Sequence, residues 1–439
     1  MQPLKLKTLG HASIALYRYG EAPLLLTDPW LVGSVYWRSW WLQNYPDEAT
    51  LDWLAGAANI YITHEHPDHF HTPSIRRLGQ GPTYLFPAFA ERGYLAYMTQ
   101  HGYRAEITPP GRWVTLGDGI AILSWPLWND DSLLLIDTPH ALILNFNDAK
   151  PVPPVVKAVR RLGDRIGKPR ILLASYSPAS VINSFSDAAG PITLKQPADY
   201  VGFIRRLCER LGADTYLPFA SQASFERADS AWANQYRTTY TDLERSWRGS
   251  TRLLPPYTTL ALDDFSHEST PSECYRSAPA GRLAARTGER LAAERAAEIT
   301  AADAAALQRK LNLWRWLLWP LFPRGFAFEA ATTALVYDPR RGRVYIEPAG
   351  DHGDFVVSVP SLTLKEALAT GHLSDLGITM FVRIRLLRRV DPRKIYGIFV
   401  LFQFDDYGHI RRPRALLRWL WSGLRRSFPA PLPLPQRKV

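Results

Sequence analysis

Cysteine is nearly absent: Cys208 and Cys274 are the two in 439 residues. Two thiols make no disulfide framework, and the chain reads as lacking a Rieske domain. Electrons for any redox reaction would therefore come from another protein. Long apolar runs are also missing, since none reaches the eighteen or more residues of a membrane span. Residues 1–9 read as a strand without the long apolar stretch of a secretory leader, so a cytoplasmic protein is expected. Acidic residues thin out toward the C-terminus. Residues 383–439 hold fourteen Lys plus Arg against three Asp, a net of +11 that equals the formal charge of the whole chain.

Histidine, by contrast, is concentrated. Of eleven in the chain, four lie between His64 and His71, in the run Thr63-His64-Glu65-His66-Pro67-Asp68-His69-Phe70. The apolar stretch 58–62 before it reads as a short buried strand, and Pro67 stops that strand from continuing. In an extended segment His64 and His66 project the same way, and Asp68 and His69 follow the proline turn. The loop can thus aim two imidazoles at one point and a carboxylate–imidazole pair at a second, which suits a dinuclear Zn, Fe or Mn centre.

This is the H-x-H-x-D-H signature, and the chain resembles the metallo-β-lactamase superfamily. The resemblance implies a four-layer αββα sandwich of the α/β class. It also implies that Asp28, at the end of a third strand, backs the metal ligands. Gly10-His11-Ala12-Ser13 is similar to a turn of the lactonase and phospholipase D branches, whose His lies near the site. A closer resemblance, to the CMP-N-acetylneuraminate hydroxylase branch, is carried by Asp28-Pro29-Trp30-Leu31-Val32-Gly33, Trp40-Trp41-Leu42, Trp128-Asn129-Asp130-Asp131-Ser132 and Ile143-Leu144-Asn145-Phe146-Asn147-Asp148. Trp30, Trp40 and Trp41, with His11, are candidate substrate residues.

The later ligands set the chain apart from zinc hydrolases of that superfamily. Asp148 ends an apolar run and fits the bridging carboxylate. Where a third His is expected, residues 125–132 offer Asp130 and Asp131 instead. Residues 216–221, in the usual place of the last His, contain none, which leaves His140, His267 or solvent. Replacing imidazole by carboxylate hardens a site and favours iron. The expected metal set is therefore His64, His66, Asp68, His69, Asp130 or Asp131, and Asp148. Asp68 and Asp148 are the catalytic candidates, and the expected cofactors are two divalent metal ions with iron favoured over zinc or manganese. The expected function is a non-haem iron oxygenase acting on a small or lipid-linked substrate with an external electron donor. A metal-dependent hydrolase of a phosphodiester, lactone or amide is the alternative.

The pattern divides the chain into a metal-binding domain over residues 1–268, a linker with a long helix and a Trp-rich segment over 269–330, a small α+β domain over 331–428, and a tail over 429–439. The long helix is expected over 282–312 as one solvated rod. Residues 311–328, with Trp314, Trp316 and Trp319, suit either a membrane interface or an apolar cover for that helix. Arg411, Arg412, Arg414, Arg418, Arg425 and Arg426 flank Leu416, Leu417, Trp419, Leu420, Trp421 and Leu424 as a basic amphipathic helix. With so much Trp and Leu, an anionic membrane surface is a better partner for it than nucleic acid, giving peripheral association at the inner face of the membrane.

Overall fold

The computed structural model describes residues 2–89, 93–276, 280–406, 408 and 413–435. Two sheets pack face to face. The first has eight strands in the order His267–Ser269, Thr258–Ala261, Leu4–Leu9, Ser13–Arg18, Leu25–Thr27, Asn59–Tyr61, Thr83–Pro87, Arg104–Thr108. The second has seven, in the order Arg252–Leu253, Thr215–Phe219, Arg170–Ser175, Leu142–Asn147, Ser132–Asp137, Ile120–Pro126, Trp113–Gly117.

Successive side chains of a strand point to opposite faces, and the run Leu133-Leu134-Leu135-Ile136 divides accordingly. Leu134 and Ile136 join Leu6, Ile14 and Leu173 between the sheets, whereas Leu133 and Leu135 face an outer helical layer. Both faces are covered, so the strand is apolar throughout rather than alternating. That outer layer includes Pro153–Ile166, where Pro sits in the first turn and Val155, Val156, Val159 and Leu162 recur at helical spacing. Helices Glu48–Ala55, Thr72–Leu78 and Gly93–Gln100 cover the other sheet through Leu51, Leu54, Ile75 and Met98. Helix, sheet, sheet, helix is the αββα sandwich of the metallo-β-lactamase fold.

A third sheet carries the C-terminal half, in the order Gly190–Ile192, Phe185–Asp187, Arg383–Leu386, Phe355–Ser358, Phe326–Ala330, Thr333–Asp338, Arg343–Pro348. Its first two strands come from within residues 1–268, so a boundary at 268 does not follow the packing. Phe185 and Ser186 pair in parallel with Ile384 and Arg385, because Val181 and Phe185 bury themselves in the C-terminal core rather than between the first two sheets.

The rod expected over 282–312 is two helices, Ala280–Ala296 and Ala301–Asn312. Thr300 accepts from the backbone N–H of Asp303, whose carboxylate accepts from the Thr300 backbone N–H, a capping box that starts a new helix. These helices are not uniformly solvated either: Glu294, Ala304, Leu307 and Leu311 are buried. In the Trp-rich segment Trp314, Leu318, Phe322, Phe326 and Phe328 enter the C-terminal core, which makes it an apolar cover, while Trp316 and Trp319 stay exposed. Of the basic helix, Pro413–Ser427 is described; Arg411 and Arg412, and residues 436–439 of the tail, lie outside the described residues. Among the described residues no helix is long and apolar enough to cross a membrane.

Candidate metal centre

Five loops leave the two sheets at one edge. His11 follows Leu4–Leu9, Asp28 follows Leu25–Thr27, His64 follows Asn59–Tyr61, Asp131 precedes Ser132–Asp137 and Asp148 follows Leu142–Asn147. The turn before His11 needs glycine. Gly10 has φ +54°, and a Cβ there would lie 2.6 Å from the Trp30 carbonyl oxygen. Asp28 and Asn147 also take positive φ, 41° and 38°. Non-glycine residues held in this region tend to mark functional sites.

Three groups of potential ligands result, each with its donor atoms within 4.8 Å of one another: His64, His66 and Asp131; His64, His69 and Asp148; His11, Asp68 and His69. The Nδ1 sides of the two central rings are fixed from behind. Asp28 accepts from the Thr63 backbone N–H at 2.7 Å and from its hydroxyl at 2.9 Å, and faces His69 Nδ1 at 3.3 Å. Thr63 Oγ1 in turn lies 3.0 Å from His64 Nδ1. This leaves the Nε2 atoms pointing inward. The Nε2 atoms of His11, His64 and His69 are buried and make no hydrogen bond. They stand 3.3–3.9 Å from carboxylate oxygens of Asp68, Asp131 and Asp148, longer than charge-assisted hydrogen bonds. Buried lone pairs and carboxylates converging at that spacing fit metal ions lying between them.

The electrostatics agree. Burial, then the neighbouring His69 and His66, hold His64 well below the usual imidazole range, so it is a neutral donor. At His69 burial opposes the cation, but Asp68 and Asp28 outweigh it and hold the ring well above that range. The same contacts, with His69 first and His11 next, overcome burial and keep Asp68 ionised. Without a metal, the site thus meets its negative charge with a proton.

Burial pushes the Asp131 carboxyl up to about 6, against the pull of His66 and with Asp148 adding to the rise. An unfolded Asp loses its proton near pH 3.9. Between about pH 4 and 6 this group therefore holds more proton in the folded metal-free protein than in the unfolded chain, and its contribution to stability falls as pH rises, by up to about 3 kcal/mol at roughly 1.4 kcal/mol per pKa unit. Asp131→Asn is expected to lack this contribution, so the gap in denaturation midpoint between the two metal-free proteins should change across pH 4–7. A variant with the same pH slope as the wild type would refute it.

The structure chooses between the two acids of the 125–132 loop. Asp131 reaches His64 and His66 and accepts from Asn129 Nδ2 at 2.7 Å. Asp130 instead turns at φ +61° and faces Arg426 at 3.9 Å, away from the cluster. His140 and His267 do not contribute. His140 is exposed at the start of Leu142–Asn147, the opposite end from Asp148, and His267 is exposed on an edge strand beside Arg252. His71 turns to Ser74 Oγ at 2.8 Å. Residues 216–221 carry no imidazole, but the His11 carbonyl accepts from the Ala220 N–H beside them, and the His11 ring stands with Asp68 and His69 as a group of potential ligands. Of the tryptophans, Trp40 lines the cleft, whereas Trp30 is fully buried against His11 and Trp41 is buried with its Nε1 on the Arg38 carbonyl.

Sequence reasoning missed Tyr36, whose hydroxyl donates to Asp68 Oδ1 at 2.6 Å. Tyr36, Trp37 and Arg38 all have positive φ, a rare left-handed turn that a lone sequence does not announce. It also missed the opposite wall of the site. A cleft of about 620 Å³ runs from His66, Asp68, Asp131 and Asp148 out between the helices Pro197–Leu211 and Pro392–Asp406. Phe203 lines one side and Tyr396, Phe399 and Val400 the other, with Lys150, Lys195 and Arg206 adding positive charge.

No family model matches the chain. Over 152 residues it is 46% identical to the cytidine monophosphate-N-acetylneuraminic acid hydroxylase of Asterias rubens, a match covering 31% of this chain and 22% of that protein. The chain spans less than half the length of the curated relatives it matches. Among solved structures it is similar to a possible metal-dependent hydrolase from Veillonella parvula, with TM-score 0.43 and 12% identity over 59% of this chain and 100% of that one. It is also similar to CmlA, a diiron β-hydroxylase from Streptomyces venezuelae, with TM-score 0.36 and 17% identity over 50% of this chain and 45% of that one.

Proposed function

We propose that the chain is a non-haem oxygenase with a dinuclear metal centre, iron favoured, that hydroxylates a substrate held in the cleft between the helices Pro197–Leu211 and Pro392–Asp406. The observation that carries this reading is Asp131 standing with His64 and His66 where zinc hydrolases of the fold use a third imidazole. With Asp68 and Asp148 the set then has three carboxylates, a harder and more anionic environment that favours iron or manganese over zinc. The likeness to a hydroxylase over 152 residues supports the same choice.

His64, His66 and Asp131 would hold one ion and His11, Asp68 and His69 the other, and Asp148, within reach of His64 and His69, would complete the set. Iron held by these residues would supply the activation of dioxygen, with electrons from an external donor. The chain's own residues do the rest. Tyr36 donates to Asp68 and keeps its second oxygen toward His11 and His69. Trp40, packed edge-on to His11 with ring centroids 5.9 Å apart, closes the inner end of the cleft. Lys150, Lys195 and Arg206 give the cleft affinity for an acidic group on the substrate, and the aromatic walls accept its apolar part.

Metal analysis of protein purified without added metal, followed by oxygen-electrode measurement with a chemical reductant, tests the proposal. About two iron ions per chain and reductant-dependent oxygen uptake are expected. Zinc alone, with hydrolysis of a generic phosphodiester that is lost in His66→Ala, would establish the hydrolase instead.

A further inference from the structure

The helix Pro413–Ser427 carries a ridge that the catalytic reading leaves unused. Leu417, Leu420, Trp421, Leu424 and Phe428 are 66, 49, 57, 53 and 63% exposed. At 3.6 residues per turn these five fall within about 100° of arc on one face. Arg414, Arg418 and Arg425 are exposed in a row along one flank of it, and the Arg425 guanidinium stacks over Trp421 at 4.9 Å.

The ridge cannot swing inward and bury itself, because the opposite face is already tied down. Gly423 is buried against Trp128, Trp419 packs on Phe404 with centroids 4.7 Å apart, and Arg426 donates to the carbonyls of Leu127 and Ala88. Beyond the helix, Leu432 is buried in the outer layer beside the helix Pro153–Ile166, and its carbonyl accepts from Arg165. Anchored on both sides, the helix holds five large apolar side chains out in solvent, and such a patch marks an interaction surface.

We propose that this ridge seats the protein on an anionic lipid surface, with Leu417, Leu420, Trp421, Leu424 and Phe428 entering the headgroup–acyl boundary and Arg414, Arg418 and Arg425 meeting lipid phosphates. The choice of occupant rests on charge. Residues 383–439 carry the whole net +11 of the chain, and a row of cations beside an apolar stripe matches an anionic bilayer, for which interfacial helices combine buried apolar area with electrostatic attraction. A second copy of the chain would instead bring two such arginine rows together. This inference is independent of the reaction proposed above.

Flotation of the full chain with vesicles of phosphatidylcholine alone or with 30% phosphatidylglycerol tests it. Binding to the anionic vesicles is expected to exceed binding to neutral ones at least tenfold, and to weaken at high salt. Two variants, L420S/L424S and R414E/R418E/R425E, change only exposed side chains. Each should lose at least tenfold in partitioning while keeping the wild-type circular dichroism and melting temperature. Equal flotation with neutral vesicles, unchanged flotation of either variant, or a dimer in solution that dissociates in L420S/L424S would overturn the proposal.

Discussion

The His64→Ala variant is expected to lose the metal position shared with His66 and Asp131, and with it at least about a thousandfold in turnover, as when one member of a reacting unit is removed. His64 belongs to two of the three ligand groups, with His66 and Asp131 on one side and His69 and Asp148 on the other. Its ring centroid lies 4.0 Å from that of His69 and 4.6 Å from that of His66, so no other imidazole can move into the gap without leaving its own place. Its Nδ1 is already engaged by Thr63, which leaves Nε2 as the one free donor. His71→Gln provides the contrast. It lies in the same histidine run, but its ring is spent on Ser74, so this variant should retain the full metal content and most of its activity. Metal content of both variants checks the pair of outcomes, and loss of metal in His71→Gln would show that the site is built differently.

Arg227→Met is expected to destabilise the folded protein by about 3–5 kcal/mol, the usual consequence of removing one partner from a buried ionic network. Arg227 is completely buried. It makes two bonds to Asp229, at 2.9 and 2.7 Å, donates to the Trp37 carbonyl at 2.8 Å, and lies 3.7 Å from Glu294. Its guanidinium also covers the Phe381 ring at 4.3 Å. Methionine fills similar volume but leaves the Glu294 carboxylate, itself buried, without this neighbour. The effect should extend to the site, since Trp37 is the middle residue of the left-handed turn that presents Tyr36 to Asp68. Urea midpoints measure the first effect. Metal affinity of the protein still folded at low urea measures the second, and an unchanged midpoint would mean that the network contributes nothing net.

What the sequence carried, it carried locally. His64, His66, Asp68 and His69 sit within six positions, and Asp28 and Asp148 each end an apolar run, so strand-end logic reaches them without a structure. Asp130 and Asp131 could not be told apart that way, because the choice depends on a backbone turn at Asp130 and on Arg426, nearly three hundred residues away. Tyr36 was hidden for a similar reason, and His11 was legible only as a residue near the site, because both places depend on how distant loops meet at one sheet edge. The break between Ala280–Ala296 and Ala301–Asn312 is a different kind of miss. Thr300 followed three residues later by Asp303 is a helix-start signal in plain view, and composition alone masked it.

The two short strands Phe185–Asp187 and Gly190–Ile192 have a consequence for how the chain folds. Phe185 finds Ile384, its partner on the neighbouring strand, about two hundred residues downstream, so closing that contact carries a large loop-closure entropy that builds up before any sheet pairing repays it. Until the rest of the chain arrives, the hairpin formed by these two strands has an unpaired edge, and Val181 and Phe185 lack the core they bury in. A fragment ending at 268 keeps that edge permanently open and should aggregate, whereas the full chain should melt in one cooperative transition that takes both halves together.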